Sequence, residues 1–143
     1  MSSQPYHLYL SPKTRFLNLL RRFFVMSQSD RLLAHYTRKG NSNSLSSKLI
    51  PPNYLYSSGS FRSCNVDGIN YLVDLSDTNG HLNYFGLNDP GQRTLFSNIE
   101  EGMTVFDIGA NIGALTLQMA KKVSPAGKIF SFEPSPIIIL RLK

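Results

Sequence analysis

The 143-residue chain has no tryptophan and a single cysteine, Cys64. One cysteine excludes an internal disulfide and offers no zinc-ligand spacing. No apolar run approaches the ~20 residues of a membrane-spanning helix, and the first residues lack the three-part pattern of a cleavable signal peptide. These absences predict a cytoplasmic protein without a transmembrane segment or a metal site. Seven Tyr and nine Phe nevertheless suffice for an apolar core.

Acidic residues are scarce in the first 50 positions, where Asp30 is the one acid. Eight basic residues stand against it: Lys13, Arg15, Arg21, Arg22, Arg31, Arg38, Lys39 and Lys48. Residues 51–143 hold seven basic and eight acidic residues. The basic character therefore belongs to an amino-terminal arm, and it carries no information about chemistry elsewhere in the chain.

The segment TRFLNLLRRFFVM, residues 14–26, has the spacing of a basic amphipathic helix. Its apolar set is Phe16, Leu19, Leu20, Phe23 and Phe24, and the opposing set is Arg15, Asn18, Arg21 and Arg22. The pattern favours a helix that covers its own domain's core and turns its Arg side chains to solvent. Two alternatives are peripheral contact with a membrane or a partner through residues 14–26 and an organelle transit segment.

A polar stretch and a hairpin follow the arm. Residues 39–60 are rich in Ser, Asn, Gly and Pro, which predicts a linker. Two candidate strands, Phe61–Val66 and Ile69–Leu75, then flank the dipeptide Asp67-Gly68. That dipeptide suits the type I′ turn of a β-hairpin.

A short helix is predicted to begin at Pro90, with Asp89 as its N-cap and Gly102 at its end. The three histidines are not grouped with one another in the sequence, so they are predicted to lie at the surface and not to act as metal ligands. We divide the chain into an arm, a linker and an incomplete domain, over residues 1–38, 39–60 and 61–143.

From residue 104 the pattern alternates between strand and helix. Thr104–Ile108 and Lys128–Glu133 read as strands, and Gly113–Val123 and Ile137–Lys143 as helices. The first of these helices has an apolar face of Ala114, Leu117 and Ala120, with Leu115 and Met119 beside it. This order predicts an α/β fold that begins a Rossmann-like parallel sheet with one β-α-β unit.

The loop between the first of these strands and its helix has the residue types of a ligand-binding turn. Gly109 lacks a Cβ and lets a ligand approach the backbone. Asn111 tolerates the left-handed region, and Gly113 lets the helix start close to the strand. Ligands of open α/β sheets bind at the carboxyl ends of the strands, against helix N-termini.

Asp107 and Glu133 end the two strands at the same rim of the predicted sheet. Glu133 follows Gly113 by 20 positions, where an acidic residue holds ribose hydroxyls in nucleotide sites. Asn111 stands where a dinucleotide fingerprint needs glycine, and Asp107 would repel a diphosphate. A cationic nucleoside is therefore favoured over NAD. The alternative is that Asp107 only caps the turn and Glu133 is a solvated strand end.

The segment VFDIGANIGALTLQMA, followed by GKIFSFEPSP, resembles class I S-adenosylmethionine-dependent methyltransferases. It is most similar to the FkbM type, whose motifs read D-x-G-A-N-x-G and E-P-x-P. The resemblance spans residues 60–143. It implies S-adenosylmethionine as the cofactor and the following binding residues: Asp107, Gly109, Asn111, Gly113 and Glu133. The first four would line the methionine and ribose side, and the last would bind the ribose hydroxyls.

The resemblance also implies O-methylation of a hydroxyl on a sugar, a polyketide or another small molecule, with no nucleic-acid partner. The chain holds only the first strands of that family's sheet, so we expect a truncated enzyme that shows no methyl transfer alone. No catalytic residue is named, because a general base would lie in the missing part. The alternatives are a non-catalytic interaction module with a basic arm and a fragment of an NAD-type oxidoreductase.

Overall fold

The computed structural model describes residues 10–39, 44–87 and 90–139. The helices are α1 Pro12–Arg21, α2 Ser27–Lys39, α3 Leu45–Leu49, α4 Thr78–Phe85, α5 Pro90–Ser97, α6 Ala114–Val123 and α7 Pro136–Ile139. The strands are β1 Phe61–Val66, β2 Ile69–Asp74, β3 Thr104–Ile108 and β4 Lys128–Phe132. The fold is α/β, with two two-stranded sheets. Within the described ranges, no helix is long and apolar enough to span a membrane.

The chain divides into two compact units. The first comprises Met1–Arg62 and Leu72–Leu87, and the second Ser63–Tyr71 and Asn88–Lys143. The sheet order β1-β2 forms a hairpin whose strands contribute to both units. The boundaries of these two units differ from those of the predicted arm, linker and domain. The division into arm, linker and domain stays a sequence-based prediction.

The core of the first unit includes residues from the predicted linker. Ile50 and Tyr56 are buried, together with Phe85 of α4 and Leu75 beyond β2. The Ser-rich composition predicted no structure here, but Ser44 caps α3 through a hydrogen bond from the backbone of Ser47. Single apolar residues between Ser and Pro residues thus contribute to the core, which the overall composition of the segment did not indicate.

A buried ion pair lies in the same unit. Asp30 of α2 has no exposed surface and pairs with Arg62 of β1 at 2.9 Å. Its second carboxylate oxygen accepts a hydrogen bond from the Tyr84 hydroxyl at 3.0 Å. Burial, with the Asp30 charge beside it, raises the pKa of Tyr84. The only acid of the basic arm is therefore a core residue.

The expectation for α1 is wrong in its orientation. Asn18 is buried, and its amide donates to the Tyr54 hydroxyl at 2.8 Å. The predicted apolar side is turned outward instead, because Phe16 is 65% exposed and Phe23, in the 3-10 turn that continues α1, is 73% exposed. Asn18 and Arg21 of the polar side contact the rest of the unit, whereas most of the apolar side does not.

Sequence reasoning also misplaced His81, which was expected at the surface. His81 is buried in α4, and its Nε2 lies 2.7 Å from the carbonyl oxygen of Pro51. Its ring is tilted against that of Phe85 at a centroid distance of 4.8 Å. A histidine with one hydrogen-bond partner and an apolar neighbour is a core residue, which no motif in the sequence indicated.

The hairpin turn has the predicted conformation. Asp67 and Gly68 both have positive φ, 51° and 81°, as a type I′ turn requires. The Lys121 side chain, on α6 of the same unit, donates to the carbonyl oxygen of Asp67. The hairpin tip is thereby tied to the end of α6.

The second unit contains the predicted β-α-β order. Strands β3 and β4 are parallel, with Thr104 opposite Lys128 and Ile108 opposite Phe132. The cluster beneath the sheet consists of Ile99, Met119 and Val123, with Phe96, Val105, Leu115 and Ile129 packed against it. The predicted helix face is therefore wrong, since Leu117 is 46% exposed. Leu115, Met119 and Val123, spaced by four, point to the sheet instead.

The bounds of several elements in this unit differ from the predictions. Helix α5 ends at Ser97 rather than at Gly102, which forms a turn before β3 with φ 82°. The predicted cap Asp89 lies outside the described residues. Of the final predicted helix, the structure describes α7 to Ile139, and residues 140–143 lie outside the described ranges.

Candidate cofactor-binding loop

The loop from Gly109 to Gly113 joins β3 to α6 in the second unit. It contains three left-handed residues, Gly109, Asn111 and Gly113, with φ of 83°, 50° and 75°. The backbone N–H groups of Gly109 and Ala110 donate to the carbonyl oxygen of Phe132 at 2.8 and 3.1 Å. The loop is therefore fixed to the carboxyl end of β4.

Glu133 connects the two motifs that the sequence separates. The backbone N–H of Asn111 donates to one of its carboxylate oxygens at 2.9 Å. The backbone N–H of Ser135 donates to the other at 2.8 Å. Glu133 is half-buried at the end of the strand. Through these two hydrogen bonds it also fixes the conformation of the loop. A carboxylate oxygen can accept more than one hydrogen bond, which leaves acceptor capacity for a ligand.

Asn111 stabilises its own strained backbone. Its side-chain oxygen accepts a hydrogen bond from the backbone N–H of Ile112 at 2.6 Å. The N–H of Gly113 donates to the carbonyl oxygen of Ala110 at 2.9 Å. Asparagine tolerates the left-handed region better than most residues because of such local bonds. The choice of asparagine in the middle of the turn thus has a structural cause.

Asp107 lies on the side of the sheet that α6 covers. It is half-buried, and the Thr116 hydroxyl of α6 donates to its carboxylate. The Ser131 hydroxyl of β4 lies 3.3 Å from that of Thr116. The structure therefore links Asp107 to the first turns of α6, whereas Glu133 contacts the loop backbone. Sequence reasoning missed Thr116, because a hydroxyl within an apolar helix carries no motif.

The start of α6 is held by a residue of the hairpin. Gly113 is the N-cap and provides no side-chain hydrogen bond. The Tyr71 hydroxyl donates to the carbonyl oxygen of Ala114 at 3.1 Å, and burial raises the pKa of Tyr71. Tyr71 was also missed, since a tyrosine within a candidate strand carries no motif. An N-terminus without a side-chain cap keeps its N–H groups available to a ligand.

The space beside Gly109 is open. A Cβ built at this residue would meet no atom within 4 Å. Glycine is therefore favoured here by the positive φ angle and not by a lack of space for a side chain. A Cβ at Gly127, in contrast, would lie 2.6 Å from the carbonyl oxygen of Met103. Across the described part of the chain, no group of three or more His, Cys, Asp or Glu residues could hold a metal ion. The loop therefore offers backbone donors and the Glu133 carboxylate to a ligand.

Comparisons with known proteins give one informative result. No family model matches the chain, and no solved structure matches it. Over 69 residues the chain is 42% identical to the probable ribosomal RNA small subunit methyltransferase A of Methanosphaera stadtmanae. The similarity agrees with the expected methyltransferase in general and not with the FkbM type in particular. The matched stretch covers 47% of this chain and 24% of that relative.

The match corrects the expected partners. The family resemblance implies a small-molecule hydroxyl acceptor and no nucleic acid, but the relative is named for acting on ribosomal RNA. That expectation is therefore wrong. The error arose because the expectation rested on motifs interpreted as a cofactor loop, and such motifs carry no information about the acceptor. The coarser expectations, a methyltransferase and S-adenosylmethionine as its cofactor, agree with the match.

Proposed function

We propose that residues 104–139 form part of the cofactor site of a class I S-adenosylmethionine-dependent methyltransferase. The observation that carries the proposal is the hydrogen bond from the Asn111 backbone to the Glu133 carboxylate at 2.9 Å. It joins the glycine loop to the acidic residue at the carboxyl edge of a parallel sheet, where ligands of α/β folds bind. The partial identity to an RNA methyltransferase supports the same class.

The side chains and backbone groups of the loop suit a cationic nucleoside. Glu133 has further acceptor capacity for ribose hydroxyls, and Gly109 leaves its backbone open to close approach. The left-handed Asn111 and Gly113 turn the chain into α6, whose first N–H groups suit the carboxylate of a methionine moiety. Asp107 adds negative charge beneath the loop, which favours a cation.

The chemistry itself comes from the cofactor, which carries a methyl group on a sulfonium when bound. The residues of the loop bind and orient it, and none of them is proposed as a catalytic base. The chain spans about a quarter of the length of its relative, so the complete reaction is proposed for a protein with further elements.

For the acceptor we propose RNA, and the support is the name of the partial relative. The narrower FkbM-type assignment rests only on the motifs D-x-G-A-N-x-G and E-P-x-P. We retain it as a hypothesis about the ancestry of the cofactor loop, separate from the acceptor.

An NMR titration of the full 143-residue chain tests the cofactor. S-adenosylhomocysteine should shift the backbone amide signals of Gly109, Asn111 and Gly113, whereas NAD should not. Glu133→Gln should weaken this binding, because an amide offers one acceptor oxygen where the carboxylate offers two. Glu101→Gln is the matched control, since Glu101 is an exposed carboxylate of the same unit. Shifts with NAD alone would refute the methyltransferase assignment.

A filter-binding experiment tests the acceptor separately. A fragment of small-subunit ribosomal RNA should bind the chain, and its affinity should fall as salt is raised, because phosphate contacts release counterions. Absence of binding to RNA at low salt would contradict the proposed acceptor while leaving the cofactor assignment intact.

A further inference from the structure

One side of α1 and of the 3-10 turn that follows it exposes apolar side chains to solvent. We define the outer face as Phe16, Leu19, Leu20 and Phe23, with exposed fractions of 65, 58, 41 and 73%. Isolated exposed apolar residues are ordinary on proteins, but contiguous ones mark interaction sites. These four lie within three turns on one side of a single helix and its extension, so they form a continuous patch.

Polar contacts on the opposite side fix this orientation. The buried Asn18 donates to the Tyr54 hydroxyl at 2.8 Å. Arg21 donates from Nε and Nη2 to the carbonyl oxygen of Lys48 at 3.0 and 2.7 Å. A rotation that buried the outer face would break these three hydrogen bonds and leave the Tyr54 hydroxyl and the Lys48 carbonyl oxygen without these donors. The helix is thus anchored with its apolar side outward.

Basic residues border the outer face on both flanks. In helical projection Lys13 lies on one side, and Arg15 and Arg22 lie on the other, all with exposed side chains. The described helices α1 and α2 contain one acid, Asp30, and it is fully buried against Arg62. The charge presented around the apolar face is therefore positive.

A pocket of about 480 Å³ adjoins the Arg flank. It is lined by Leu10, Arg15, Asn18, Leu19, Arg22, Tyr54 and Leu55. Two guanidinium groups and a phenol are suited to a phosphate oxygen. The leucines beside them suit a hydrocarbon chain. A phospholipid contains both a phosphate group and hydrocarbon chains, so it matches both parts of the pocket lining.

We propose that the outer face of α1 docks on an anionic lipid bilayer, with the aromatic side chains in the headgroup region and the pocket against a lipid phosphate. An interfacial helix of this kind has an apolar face bordered by basic residues and lies in the plane of the membrane. Charge complementarity favours an anionic bilayer over a protein groove. Leu19 and Leu20 favour a bilayer over RNA, because only the two Phe side chains of the face could stack on bases.

Vesicle co-sedimentation of the full chain tests the proposal. Vesicles of phosphatidylcholine with about 30 mol% phosphatidylserine should retain the chain, and pure phosphatidylcholine vesicles should retain much less. Phe23→Ser should lower retention several-fold, and the double variant Phe16→Ser/Phe23→Ser at least about tenfold. Leu45→Ser is the matched control, since Leu45 is 74% exposed against 73% for Phe23 and lies on α3. Its retention should equal that of the unaltered chain.

Three results would overturn the proposal. The first is a failure of the unaltered chain to bind phosphatidylserine vesicles. The second is an equal loss of retention in Phe23→Ser and Leu45→Ser. The third is binding to an RNA oligonucleotide that the double variant abolishes while vesicle retention is unchanged, which would assign the face to nucleic acid. Circular dichroism of each variant confirms that the helices persist.

Discussion

Gly109 and Gly102 provide a matched pair for separating the function of the loop from its folding. Their φ angles are 83° and 82°, and a Cβ at either residue would meet nothing within 4 Å. An L-residue in the left-handed region costs about 1–2 kcal/mol. Restriction of the unfolded chain offsets roughly 0.4–1 kcal/mol of that cost. Gly109→Ala and Gly102→Ala should therefore each lower the free energy of unfolding by about 1 kcal/mol, as urea denaturation would measure.

The two variants should differ only in ligand binding. At Gly109 the new methyl group occupies the open space beside the loop backbone, where we place the cofactor. S-adenosylhomocysteine should therefore bind at least about tenfold more weakly, equivalent to about 1.4 kcal/mol. At Gly102, which lies in the turn before β3, affinity should be unchanged. NMR titration of both variants measures the difference. Equal affinities would refute the assignment of the loop as a ligand site.

Three further predictions concern the energetics of the fold. Arg62→Met should destabilise the first unit by about 3–5 kcal/mol in urea denaturation, because it leaves the fully buried Asp30 without its cation; a loss below ~1 kcal/mol would contradict this. Gly127→Ala should cost more stability than Gly102→Ala despite its ordinary φ, since its Cβ would lie 2.5 Å from a neighbouring side chain. Burial lowers the pKa of His81 below 6.5, so the unfolded chain binds the proton first and stability should fall as pH drops below about 6.5. In His81→Gln this decline should be smaller, and identical pH profiles would exclude His81 as its source.

The β-α-β unit could be predicted because its signals are local. Thr104–Ile108 is a short apolar run bounded by turn residues, and the glycines on either side of Asn111 end the strand and begin the helix. Parallel pairing then follows from the connecting helix. The contact between Asn111 and Glu133 was not predicted, because a spacing of 22 residues does not show which groups bond.

The packing of the first unit could not be predicted, because it depends on contacts between residues that are distant in the sequence. The orientation of α1 depends on Tyr54 and on the carbonyl of Lys48, which are distant in sequence. Periodicity identified the helix but assigned its apolar side to the core, as is usual for amphipathic helices. Polar tertiary contacts decided the orientation, and no local pattern reports them. Burial of Asp30 likewise depends on Arg62, 32 positions away.

The bond between Asn111 and Glu133 also has a consequence for comparing and recombining related sequences. The two motifs are read as separate signatures, yet the carboxylate of one supports the backbone of the other, and the Phe132 carbonyl holds two further N–H groups of the loop. If only one motif were replaced by that of a homologue, the loop and the strand end that contact each other would come from different proteins. Chimeras should therefore transfer residues 104–135 as one block, and substitutions in one motif should be tolerated only with matching changes in the other.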